Sequence, residues 1–339
     1  MDPVSQGVFG AVFAQTRSQK KNLAKAAVIG AIAGMAPDLD IVLRSTDDPL
    51  FALEFHRHFT HSLIFIPIGA LICSLFSYLL FAKRWNVSFL QIYVWSLLGF
   101  ATHGLLDACT SYGTQLLWPF SNFRVAWDTI AIIDPLVTIP LIALIVLASR
   151  RKAKRYALIG VIWIATYFGV SYAQHDKAIA AGYEQAAERG LDLVSLEAKP
   201  SFGNILIWKV IYETADQYHV DAIKVGLDEP LVWQGDSIDK LDIDRDLPWL
   251  DKNSQQAKDI ERFRWFSKGF IALDKNSPYR VVDIRYSILP QQIKPLWGIV
   301  LSNTAESDDH VGYYTDRGDA FAPTKRLWHM LFETKRDQE

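Results

Sequence analysis

Four of the eight histidines fall between positions 56 and 103, and aspartates crowd the same stretches of sequence. The segments are PDLD (Asp38, Asp40), HRHFTHS (His56, His58, His61), THGLLDA (His103, Asp107) and WDTIAIIDP (Asp128, Asp134). Each has an ordinary reading by itself. The aspartate after Pro37 can end a helix, Thr60 or Ser62 can cap one, and His103 with Asp107 four residues on can make an interhelical hydrogen bond. Asp134, just before Pro135, has the form of an N-cap followed by proline at the first helical position. Taken together they ask for more, because burying three imidazoles costs several kcal/mol in order of magnitude unless each finds a partner. Imidazole nitrogens mixed with carboxylate oxygens, and no thiolate required, suit zinc, or a manganese or iron centre, better than a calcium cage or an iron-sulfur cluster.

Helices must bring these segments together. A hydrocarbon core of roughly 30 Å takes about 20 helical residues to cross. Residues 63–82, 87–108 and 130–149 are long and apolar enough, and 156–172 sits at the lower limit. Two shorter apolar pieces, 4–14 and 26–36, flank the basic linker RSQKKNLAK and are expected to form a helical hairpin packed on the others, their glycines and alanines suiting close approach. Lys and Arg favour one set of loops by eleven to three, which predicts that this set is cytoplasmic. With six crossings, all four polar segments then gather on the opposite, outer side.

The 339 residues divide by composition. Up to about Tyr172 the chain is rich in Leu, Ile, Val, Phe and Ala, and beyond it charged residues recur every few positions, so the mean hydropathy of +0.09 averages two unlike halves. A formal net charge of −2 gives no footprint for a nucleic-acid partner. Cys73 and Cys109 lie at apolar or juxtamembrane positions and imply no disulfide framework. The start, MDPVSQGVFGAVFAQ, lacks a basic n-region and a cleavage site and is expected to be retained. In the polar half, a short helix around 176–189 is expected. NILIWKVIYE, YHVDAIKVG, RFRWFSKGFIAL, YRVVDIRYSIL and LWGIVLS alternate as strands do. No glycine-rich phosphate loop or nucleophile elbow occurs there, which points to a structural or substrate-shaping role.

MDPVSQGVFGA, GAIAGMAPDLD, HRHFTHS, GFATHGLLDACTSYGTQLLWPF and IDP follow one another in the order and spacing of the YdjM-like inner-membrane proteins, predicted metal-dependent hydrolases, which residues 1–172 resemble. The polar second half resembles the extramembrane extension of longer members. The resemblance implies that Asp38, Asp40, His56, His61, His103 and Asp107 form one polar constellation joined by Asp134, with His58 accessory. Where many relatives have Thr-His near the N-terminus this chain has Ser5-Gln6, replacing a possible ligand by an amide. GFATHGLLDA is also distantly similar to helices of the zinc-dependent phospholipase C superfamily, which suggests metal-activated water attacking a phosphoester or ester, with a spare carboxylate as general base.

The expectation is therefore a polytopic α-helical membrane domain (residues 1–172) with about four long transmembrane helices and a short N-terminal hairpin, followed by a soluble, extracytoplasmic α+β domain (173–339). The expected setting is the bacterial inner membrane, with membrane lipids as partners and a lipid-like substrate. The expected metal ligands are Asp38, Asp40, His56, His61, His103, Asp107 and Asp134, with Asp38, Asp40 and His56 as catalytic candidates and zinc as the first metal. The rival reading is a non-enzymatic scaffold whose His/Asp cluster is a structural metal site or a hydrogen-bonded packing site.

Overall fold

The computed structural model describes residues 1–316, 318 and 321–334. The chain forms two compact units. Unit 1 holds Met1–Leu43, Phe55–Ala173 and Phe202–Ile205, and unit 2 holds Arg44–Glu54, Gln174–Ser201 and Leu206–Glu339.

Unit 1 is helical. Its elements are α1 (Pro3–Thr16), α2 (Leu23–Met35), a 3-10 turn (Ala36–Val42), a second 3-10 turn (Phe59–His61), α4 (Ile66–Trp85), α5 (Phe89–Ala108) and α6 (Pro135–Arg151). The short α3 (Phe51–Phe55) lies between the two turns in sequence, and α7 (Arg155–Glu188) runs unbroken from unit 1 into unit 2. Among the described residues, three helical stretches are long and apolar enough to cross a membrane: Leu63–Trp85, Phe89–Ala108 and Arg155–Glu188. The expected fourth span and the expected short helix beyond it are thus one 34-residue helix. No Gly or Pro signal lies between Val170 and Glu188 other than Gly182, so nothing breaks the helix where the composition changes. α6 is apolar but has 17 residues and an internal Pro140.

The N-terminal pair α1 and α2 is the centre of unit 1. α1 buries Ser5 through Val12 together with Ala14 and Gln15, and it packs on α2, α5 and α6. Asp2 caps it, accepting from the backbone N–H groups of Val4 and Ser5 at 3.0 Å, with Pro3 at the first position. Backbones touch where side chains are absent: a Cβ on Gly10 would lie 2.2 Å from the Gly30 carbonyl oxygen. Polar groups on α1 are tied to α6, Ser5 Oγ to Thr138 Oγ1 at 2.7 Å and Gln15 Nε2 to Ser149 Oγ at 3.0 Å. In an apolar surrounding these partners satisfy groups that lipid cannot.

Unit 2 carries two antiparallel four-stranded sheets. The first has β1 (Ser195–Pro200), β2 (Ile207–Glu213), β3 (Gln217–Lys224) and β4 (Leu231–Asp239) in sequence order. The second, after α8 (Ile243–Asp246) and α9 (Gln255–Phe266), has β5 (Ile271–Leu273), β6 (Arg280–Asp283), β7 (Trp297–Val300) and β8 (Gly312–Thr315). α10 (Phe321–Phe332) follows. Ile211 and Val220 of the first sheet, Val282 of the second, and Phe270 and Ile284 beside its strands share one buried cluster.

One expected strand is corrected. RFRWF closes α9 rather than opening a strand, because Ser254 caps the helix by accepting from Ala257 N–H, and Ile260, Phe263 and Phe266 fall on one buried helical face. Over five residues, alternation and a helical stripe cannot be told apart by pattern. β1, β4 and β8 are additional strands. β4 carries Gln234, Asp236 and Asp239 among its nine residues, too polar to stand out by hydropathy.

Candidate metal centre

Four side chains from three segments converge in unit 1. Asp38 comes from the turn after α2, His61 from the turn before α4, and His103 and Asp107 from successive turns of α5. His61 Nε2 stands 2.9 Å from His103 Nε2, 3.5 Å from Asp38 Oδ1 and 3.3 Å from Asp107 Oδ2. His103 Nε2 stands 3.3 Å from Asp38 Oδ1 and 3.6 Å from Asp107 Oδ2. The mean of these five edges, about 3.3 Å, is that of a regular tetrahedron of donors whose centre lies about 2.0 Å from each, the reach of zinc to nitrogen and oxygen ligands, and the sixth edge, Asp38 to Asp107, is within 4.8 Å.

The tautomers follow from the other ring nitrogens. His103 Nδ1 faces the Gly34 carbonyl oxygen, an acceptor only, so Nδ1 carries the proton. Thr60 donates its hydroxyl proton to Asp40 Oδ2 at 2.9 Å, which leaves its oxygen to accept from His61 Nδ1 at 2.9 Å. Both Nε2 atoms of the neutral rings are then bare lone pairs pointed at each other, and a cation between them is what makes that arrangement favourable. A single proton on either Nε2 serves one of the surrounding acceptors at a time, His61 Nε2 having His103 Nε2, Asp107 Oδ2 and Asp38 Oδ1 all within 3.5 Å, whereas a metal ion would meet all four donors. Asp107 Oδ2, fully buried, has the Arg57 guanidinium as its charge partner at 3.1 Å and also faces the two imidazoles. The donor set therefore fits a divalent metal.

Asp40 fills a different role. Its Oδ1 meets His56 Nδ1 at 2.9 Å, and its Oδ2 accepts from Thr60 and from the Arg57 backbone N–H at 3.2 Å and stands 3.3 Å from His61 Nδ1. Burial alone would raise the carboxyl of Asp40, which lies outside the three spans. Its hydrogen bonds to His56 and His61 outweigh that and hold it well below the usual carboxylate range. Both oxygens are engaged in orienting histidines, although Asp38, Asp40 and His56 also offer donor atoms close enough for a second ion. Asp38 and His56 are the partly exposed members, at 22% and 25% of their side chains, whereas His61, His103 and Asp107 are sealed.

Local backbone makes the convergence feasible. A Cβ on Gly104 would lie 2.2 Å from the His61 carbonyl oxygen, so only glycine beside His103 lets the His61 turn reach α5. Asp134 joins neither donor group among the described residues. It caps α6 through the Leu136 N–H at 3.0 Å and accepts from the Tyr167 hydroxyl at 2.5 Å. His58 packs beside Phe55, Phe59 and Trp118. Gln6 donates to Asp107 Oδ1 at 2.8 Å, and the Met1 amine contacts the same oxygen, so the amide supports a donor residue rather than replacing one.

Arg57 is the contributor that residue patterns miss. It adopts a positive φ of 66°, is buried, and sets its Nε 3.1 Å from Asp107 Oδ2 and its guanidinium 4.6 Å from the centre of the Tyr112 ring. In sequence it reads as one more loop charge. Its position between His56 and His58 is the only signal that could have marked it.

Apolar helices long enough to span a bilayer, with a His/Asp group able to hold a metal ion, define an integral membrane protein with a candidate metal centre. The model of the YdjM inner membrane protein family matches residues 1–178, and the chain belongs to that family. Over 124 residues it is 34% identical to the uncharacterized protein YfhP of Bacillus subtilis, covering 36% of this chain and 37% of YfhP. Over 108 residues it is 29% identical to the inner membrane protein YbcI of Escherichia coli, covering 30% of this chain and 60% of YbcI. The chain thus spans less than two thirds of either relative. No solved structure matches.

Proposed function

We propose that this protein is a membrane-bound, zinc-dependent hydrolase acting on a lipid or lipid-linked phosphoester, or ester, at the outer face of the bacterial inner membrane. The observation that carries the reading is the tetrahedron of His61, His103, Asp38 and Asp107 donor atoms, two of them bare imidazole nitrogens at 2.9 Å. With Asp38, the partly exposed donor, giving up its place to water, a bound ion there would supply water activation near neutral pH and would neutralise charge developing on the substrate oxygen.

The residues divide the work. His61 and His103 hold the ion, and Thr60, itself bonded to Asp40, and the Gly34 carbonyl fix their rings through Nδ1. Arg57 offsets the charge of Asp107. His56, backed by Asp40 as in a His-Asp pair and partly exposed, is the first candidate to take the proton from water, with Asp38 the second. The arrangement of six crossings, with α1 and α2 as a hairpin, α6 as a span and the second unit extracytoplasmic, belongs to the same proposal and rests on the eleven-to-three charge asymmetry.

A structural metal site is the second reading, favoured by the sealing of three of the four donors. The partial exposure of Asp38 and His56 is what separates a working site from a plug. The test uses purified protein with zinc in vesicles of bacterial phospholipid, followed by phosphorus NMR for new phosphomonoester and by oxygen-18 uptake from labelled water. Product that disappears with chelator and in His56→Ala, while His56→Ala keeps its zinc, supports hydrolysis. Zinc held tightly with no turnover of any vesicle lipid would leave the scaffold reading.

A further inference from the structure

Beside the metal centre, unit 1 contains an apolar cleft of about 560 Å³ between the end of α2, the first half of α4 and Phe100 of α5. We infer that this cleft holds one acyl chain of a membrane lipid whose headgroup lies at the metal centre. The inference rests on the hydrolase reading above and deepens it by assigning the part of the substrate that chemistry does not touch.

The cleft and the centre share residues. Pro37 and Leu39, which line it, flank Asp38, and Thr60, which also lines it, is the hydroxyl between Asp40 and His61. Away from that end the lining is hydrocarbon apart from the Met35 thioether and the Cys73 thiol. Along α4 the wall extends from Phe65 to Phe76, eleven residues further, or about 16 Å at 1.5 Å per residue. That is close to half of a hydrocarbon core of roughly 30 Å, the depth of a single leaflet. The wall begins at the head of the Leu63–Trp85 span, four residues after His61. A groove that starts at polar ligands, descends one leaflet and offers no hydrogen-bonding partner below its mouth matches a lipid tail, and its volume lies within the usual range for ligand sites.

Gly69 forms the floor. A Cβ there would lie 2.2 Å from the Phe100 ring, so the absent side chain lets that ring, packed with Phe65 and Cys73, lie against α4 as part of the cleft wall. Cys73 is 7% exposed and Ile72 is 57% exposed, which gives two independent positions for filling the cleft.

The test is photolabelling of the full chain, loaded with zinc in lipid nanodiscs, by phosphatidylglycerol carrying a diazirine at the end of one sixteen-carbon chain. Adducts are mapped by mass spectrometry. The expected result is labelling concentrated on Ile72, Cys73 and Phe76 and on Ile32 and Met35 across the cleft. It should saturate as the probe fraction rises and exceed that on Leu79 and Leu80 at least fivefold. Cys73→Trp or Ile72→Trp should cut the cleft adducts at least fivefold with bound zinc unchanged. Two substitutions are used so that one misfolded variant does not decide the matter. Labelling spread evenly over outward-facing helical positions, rising in proportion to probe and indifferent to both substitutions, overturns the inference while bound zinc leaves the metal reading standing. Cleft adducts in a protein that binds no zinc would reverse that outcome, sinking the metal reading alone. Protein-to-protein crosslinks at the same residues would mean that a second copy of the chain occupies the groove, which also overturns it.

Discussion

His61 and His103 face each other through Nε2 at 2.9 Å while the Nδ1 of each ring is held by an acceptor. With both rings neutral that relationship is unfavourable unless a proton or a metal ion lies between the two nitrogens, so metal content is the first quantity to measure. Detergent-purified wild type is expected to carry close to one zinc per chain by plasma mass spectrometry. His61→Ala and His103→Ala are each expected to fall below a tenth of that, and Asp134→Asn, which alters only a helix cap and a tyrosine contact, to match wild type. Equal zinc in all four proteins would refute the site.

Gly104 tests the same geometry through the backbone. With a Cβ placed 2.2 Å from the His61 carbonyl oxygen, Gly104→Ala forces the His61 turn away from α5. The expected cost is about 1 to 3 kcal/mol of stability, as for other overpacked contacts. Zinc affinity, read by competition with a chromogenic chelator, should weaken at least tenfold. Gly169, inside α7 with nothing within 4 Å of its added Cβ, supplies the control, and Gly169→Ala should leave zinc affinity unchanged and cost no stability.

The sequence disclosed the donor residues because their types are expensive to bury, so their presence beside apolar runs demanded an explanation. Asp38, His61, His103 and Asp107 could be named for that reason. The residues that orient them could not. Thr60 and the Gly34 carbonyl carry no signature of their role, and Arg57 looks like any loop charge until its positive φ and its contact with Asp107 are seen. Asp134, expected among the ligands, shows the converse: its pattern before Pro135 announced the helix cap, and its other oxygen goes to the Tyr167 hydroxyl. In the second unit, strands with continuous apolar character such as β2 were legible, whereas β4, with polar residues on its exposed face, and the helical end of α9 were not.

Arg262 on α9 anchors the segment 44–54, which unit 2 takes from the stretch between Asp40 and His56. Its guanidinium meets Asp48 Oδ2 at 2.7 Å, Glu54 Oε1 at 2.7 Å and Asp259 Oδ1 at 2.9 Å. With all four side chains less than a third exposed, Arg262→Ala leaves three carboxylates facing one another. About 2 kcal/mol of local stability should be lost, in the range for charged hydrogen bonds. Limited proteolysis with a glutamate-specific protease should then cut after Glu54 roughly tenfold faster than in wild type, an increase a merely exposed loop would not show.

Lys209 gives unit 2 a pH dependence of calculable sign. Its Nζ, on the buried face of β2, donates to Ser287 Oγ at 2.8 Å and to the Gln292 carbonyl oxygen at 2.9 Å. Burial pushes its ammonium down from the ordinary 10.5 to about 7, against the opposing pull of Asp283 and Asp236. Between those two values the unfolded chain holds a proton that the folded chain has released. Stability therefore rises with pH in this window, by at most about 1.4 kcal/mol per unit, and the gain is lost again as pH falls through the folded value near 7. Lys209→Met removes the linkage. Thermal melts of the full-length protein at pH 7, 8 and 9 should show the wild type gaining on the variant at each step. A difference between the two proteins that stays constant across the three pH values would mean that Lys209 folds as the ammonium ion, held by its carboxylate neighbours more firmly than burial opposes it.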